Sequence, residues 1–141
     1  MTDLDLRSLS APLEAMRAKV DAAYKLLDQQ WKAIAAQLSE LPIPCSVSHT
    51  YSECDHDPTQ YHTLEWRKMK GGKRICSVYH RFDFNSRNGE FEEKYEDVTP
   101  YEEWSAETKL ELLKHVPGLF KAAAKQTEAF VNKIHGKGGS K

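Results

Sequence analysis

Several things are scarce in this sequence, and each scarcity removes a class of protein. No apolar run approaches the roughly 20 residues needed to span a bilayer. The opening stretch MTDLDLRSLS has no basic segment followed by an apolar one, so it does not read as a secretory signal. Glycine and proline number only 7 and 6 in 141 residues, which excludes a collagen-like or low-complexity chain. Cysteine occurs three times, at Cys45, Cys54 and Cys76. An odd count argues against an oxidised framework, so reduced thiols and a cytoplasmic location are the expectation. An excess of one charge sign is also missing, since the formal net charge is -1. A dedicated nucleic-acid binder would be basic. No internal repeat is visible. Neither a Gly-x-Ser-x-Gly elbow nor a phosphate-binding loop is present.

What remains is an ordinary globular composition, 40% hydrophobic and 29% charged. A chain of this length buries roughly two-thirds of its unfolded surface and needs no staples. We read residues 1–135 as a single α+β domain, with 1–9 as a flexible arm and 136–141 as a disordered tail. From Leu13 the apolar residues Met16, Val20, Tyr24, Leu27, Trp31, Ile34, Leu38 and Leu41 follow in steps of three and four. That is one stripe of a long amphipathic helix. Ser10 is its expected N-cap, Pro12 falls in the first turn, and Pro42 and Pro44 end it. At ~1.5 Å per residue the helix is about 45 Å long. Such a length must lean on another long element or on a second copy of the chain.

Between residues 45 and 98 the period changes to two. Val47, His49 and Tyr51, then Leu64 and Trp66, then Cys76, Val78, His80, Phe82 and Phe84 alternate with polar neighbours, as one-sided antiparallel strands do. Gly71-Gly72 and Asn88-Gly89 mark tight turns. After Pro100, Ser105 can cap a final helix whose apolar phase runs through Pro117-Gly118. The expected fold is therefore α+β. A long N-terminal helix precedes a three- to four-stranded antiparallel β-meander and a C-terminal helix kinked or split near Pro117. The helices pack on one face of the sheet.

Candidate chemistry is sparse. Cys45/His49 and Cys76/His80 have the look of metal half-sites, but on a strand residues four apart lie about 13 Å from each other. One zinc ion cannot span that distance. The stretch 53–57, Glu-Cys-Asp-His-Asp, escapes that objection as a turn, and it is the candidate for a thiol- or metal-dependent site. Glu65, Glu92, Glu93 and Glu96 are candidate paired carboxylates, yet alternation puts Glu92 and Glu96 on a solvated face. No catalytic residue, metal site or cofactor is assigned.

The sharpest feature is the corner 67–74, with five positive charges in eight residues and no acid. Arg67, Lys68, Lys70, Lys73 and Arg74 are the candidate partner- or anion-binding residues. The acidic stretch 90–97 is expected nearby, where cross-strand pairs absorb part of the charge. The expected function is a non-catalytic macromolecule-binding module: an interaction, accessory or inhibitor protein whose partner is a protein. Nucleic acid bound by the same hairpin is the alternative. No membrane partner is expected, and the chain is read as a monomer or a homodimer through the long helices.

Overall fold

The structure, a computed structural model, describes residues 3–54 and 57–138. Helices α1 (Leu6–Glu14) and α2 (Arg17–Glu40) lead into strands β1 (Val47–Cys54), β2 (Asp57–Met69), β3 (Gly72–Asn85) and β4 (Glu90–Pro100). Helices α3 (Ala106–Leu112) and α4 (Val116–Gly138) complete the chain. The strands pair in chain order, each antiparallel to the next, as a four-stranded meander. Among the described residues no helix is long and apolar enough to cross a membrane.

The expected long first helix is present, but it starts earlier and is broken. Asp5, not Ser10, caps it, accepting from the Ser8 amide and hydroxyl. Residues 6–9 of the expected flexible arm are thus helical. Pro12 sits inside α1, and the Met16 amide turns to the Leu13 carbonyl instead of continuing the α pattern. The chain then restarts as α2. Near Pro117 the split is real: a 3₁₀ turn, Leu113–His115, separates α3 from α4. Ser105 caps α3 as its sequence suggests. Helix α4 runs on to Gly138, so residues 136–138 extend the helix where the glycines suggest a tail.

One face of the sheet carries the core. Val47, Trp66 and Ile75 are cross-strand neighbours, with Leu64 in the adjoining row. They bury against Trp31 and Leu38 of α2, Leu112 of α3, and Leu119 and Ala123 of α4. Trp31 is the pivot. Its indole N–H donates to the Lys109 carbonyl at 2.9 Å, and its ring meets Trp104 edge-on at 5.0 Å. Gln126 of α4 bonds both backbone groups of Ser48, which blunts the edge strand β1.

Strand β3 departs from the one-sided expectation. Ile75 faces the helices, while Cys76, Val78 and His80 point to the other face beside Thr63 and Glu65. All of these side chains are buried. The alternation on β3 is correct, but the set Cys76, Val78 and His80 lies opposite the helices. There the strands' own long side chains shield it: Met69 meets the Cys76 sulfur, and Tyr61 stacks on His80.

Candidate functional site

The basic corner forms the β2–β3 hairpin, with Gly71 and Gly72 taking the positive φ of the turn. Its five charges do not act together. Arg67 turns inward and bridges Glu65 and Glu96, each at 3.3 Å. The reach to Glu96 crosses β3, so the acidic strand does absorb this charge. The Lys73 ammonium donates to the Ile43 and Cys45 carbonyls at 2.7 and 3.3 Å. Arg74 stands 3.9 Å from Glu102. Lys68 and Lys70 are exposed, and neither makes an ion pair among the described residues. Of the five cations the sequence suggests, Lys68, Lys70 and Arg74 remain exposed, Arg74 beside Glu102.

The side chains of the stretch 53–57 lie outside the described residues. The other sequence pairs behave as strand geometry requires. His49 packs toward the helices, beside His115 at 5.9 Å between ring centres, whereas His80 lies on the opposite face. Burial, then the neighbouring His49, pulls the His115 pKa below its ordinary value. Cys76 is fully buried, and desolvation raises its thiol to about 11, which disfavours the thiolate that a nucleophile or metal ligand needs.

A polar constellation does form around His80, on the face away from the helices. Its Nδ1 lies 2.7 Å from Glu93 Oε2 and 4.0 Å from Glu96 Oε2. Its Nε2 lies 2.9 Å from the Thr63 hydroxyl and 3.2 Å from Glu65 Oε2. The Thr63 hydroxyl donates to the same Glu65 oxygen at 2.6 Å. Arg67 holds the other oxygens of Glu65 and Glu96. Tyr61 lies flat on the imidazole at 4.6 Å, fixing its plane. Desolvation, reinforced by Glu93, Glu65 and Glu96, raises the Tyr61 pKa.

Strict alternation cannot place Glu93 and Glu96 on one face, because they are three residues apart. A β-bulge between the pairs Arg81–Tyr95 and Phe82–Glu93 brings them together. No local turn residue announces that bulge, so strict alternation groups Glu96 with Glu92, on a solvated face, and not with Glu93; both Glu93 and Glu96 are indeed exposed. Glu65, by contrast, is buried and not solvated.

The third feature is the N-terminal arm. Leu6, Leu9, Leu13, Met16, Val20 and Tyr24 continue the stripe that α2 buries at Leu27, Trp31 and Leu38, yet every one of the six is exposed. Leu13 retains 75% of its accessible surface. Further apolar surface lies at the root of the arm. An open groove of about 420 Å³ between α2 and α3 is lined by Tyr24, Leu26, Leu27 and Leu110.

Compared with known proteins, the chain matches no family model, no curated protein and no solved structure.

Proposed function

We propose that this chain is a non-catalytic protein-binding module whose binding element is the N-terminal helical arm, received by an apolar helical surface of a partner protein. The observation that carries the proposal is the exposed stripe Leu6, Leu9, Leu13, Met16, Val20 and Tyr24. An isolated helix this short is marginal in water, and an apolar stripe at 3.6-residue spacing gains its stability from packing. The spacing matches helix-in-groove or helix-on-helix recognition.

Charge separates a protein partner from a polyanion. Residues 3–28 carry five acids and four bases. A membrane-surface or nucleic-acid-binding helix concentrates Lys and Arg on its polar face. The groove between α2 and α3 extends the stripe toward the core and enlarges the apolar surface that this chain offers. Lys68 and Lys70 are left to steer association with an acidic rim, a contribution chiefly to on-rate.

The test is photo-crosslinking in the native cell from a reactive residue at position 9 or 13, followed by mass spectrometry. One partner protein should be captured, and Leu13→Asp/Val20→Asp should abolish its capture. Both positions are exposed, so these changes should cost under about 0.5 kcal/mol each. Lys68→Glu/Lys70→Glu should slow capture without abolishing it. The proposal fails if the arm substitutions leave capture intact, or if only the chain itself is crosslinked. It fails equally if capture needs nucleic acid and vanishes on nuclease treatment.

A further inference from the structure

The His80 constellation lies on the sheet, away from the arm, and its argument is independent of the binding proposal. Among the described residues, His80, Glu93 and Glu96 are the group whose ligand atoms all fall within 4.8 Å of one another. Ligands ~2.0–2.2 Å from a tetrahedral ion stand about 3.3 Å apart. The observed separations from His80 Nδ1, 2.7 and 4.0 Å, bracket that spacing, so small side-chain rotations suffice.

We infer that His80 Nδ1, Glu93 and Glu96 bind one divalent transition-metal ion, with Thr63, Glu65 and Arg67 holding the ligands in place. Three features support more than an ion-pair cluster. The imidazole is over nine-tenths buried, and its far nitrogen is committed to Thr63 and Glu65. A ligating histidine held through its second nitrogen by a carboxylate is the arrangement that fixes ring orientation at metal sites. Secondly, Arg67 occupies Glu96 Oε1 and leaves Oε2 turned toward His80. Thirdly, the carboxylates of Glu65, Glu93 and Glu96 share this cluster with a single guanidinium, so a divalent ion would offset their excess charge.

One imidazole and two carboxylates suit zinc or manganese, whereas magnesium and calcium favour oxygen alone. Glu93 and Glu96 keep more than a third of their side-chain surface exposed, so an ion can enter from water and retain water ligands. The ligands come from β3 and from both sides of the β4 bulge. Binding would therefore pin that irregular pairing.

The experiment is titration calorimetry of the full, tag-free chain with zinc, then manganese, then magnesium, with hydrogen exchange of β3 and β4 as a second readout. One zinc ion per chain is expected, with slower exchange around residues 80–96. Magnesium should not compete. Glu93→Gln and Glu96→Gln are exposed changes that preserve the fold, and each should weaken zinc binding about 100-fold, while Glu65→Gln should cost about 10-fold. A Cys54→Ser/His56→Ala variant should bind as the unaltered chain does. The inference is overturned if the chain takes up no stoichiometric zinc, if Glu93→Gln/Glu96→Gln binds undiminished, or if the Cys54/His56 variant loses the site.

Discussion

At Lys73 the ammonium donates to two carbonyls of the linker between α2 and β1, those of Ile43 and Cys45. Lys70, three residues earlier, is exposed in the hairpin turn. Sequence alone treats the two as equivalent cations, because a charge reveals nothing about which carbonyl lies within reach. Lys73→Ala should destabilise the fold by about 1–3 kcal/mol, since it leaves two acceptors without their charged donor. Lys70→Ala should stay within about 0.5 kcal/mol. Urea unfolding of the two variants compares them directly, and equal midpoints would show that the Lys73 contacts carry no net stability. The same difficulty hid Arg67, whose length lets it cross β3 to Glu96. Trp31 was easier to place. A bulky apolar residue in the middle of a stripe belongs to the core, and it is fully buried.

Periodicity identified the elements well, and their geometry less well. The α2 stripe, the four strands, the Gly71-Gly72 turn and the break before α4 all follow from spacing that sequence displays. Two features depend on how elements meet, and spacing does not contain them. One is the bulge that unites Glu93 with Glu96. The other is the close approach of α4 to β1 at Gly118, where an added Cβ would overlap the ring of His49. Gly118→Ala has two opposed effects. Alanine favours the helix by up to ~1 kcal/mol, and the overlap costs about 1–3 kcal/mol. The overlap involves atoms of a half-buried ring that lies beside His115, so the ring must shift to admit the methyl group. We therefore expect net destabilisation of about 1–2 kcal/mol. Thermal melts should show it, and His49→Ala should relieve most of it in the double variant. A Gly118→Ala protein as stable as the parent would mean that the ring moves aside without cost.

On the scale of the whole molecule, one core joins α2, the sheet and the C-terminal helices. Trp31, Trp66, Ile75, Trp104 and Leu119 converge there, while no residue of α1 is buried. Among the described residues, the side-chain bonds of α1 are local, Asp5 with Ser8 and Glu14 with Arg17. An element that contributes nothing to the core must draw its value from elsewhere, and this asymmetry underlies the binding proposal. The helix length and its stripe were both readable in the sequence. What the sequence could not reveal is that the sheet and the C-terminal helices cover only the second half of that stripe. Deleting residues 1–16 should therefore leave the melting temperature within about 4 °C, equivalent to roughly 1 kcal/mol. By contrast, Trp31→Ala should cost about 3–5 kcal/mol, because it empties the pivot between α2, α3 and Trp104. The shortened chain should keep the far-ultraviolet signature of its sheet, bind zinc as the full chain does, and lose only its captured partner. A drop of 10 °C or more, well beyond the roughly 1 kcal/mol expected, would mean that the arm folds back on the body in solution and that its apolar stripe already has an internal partner.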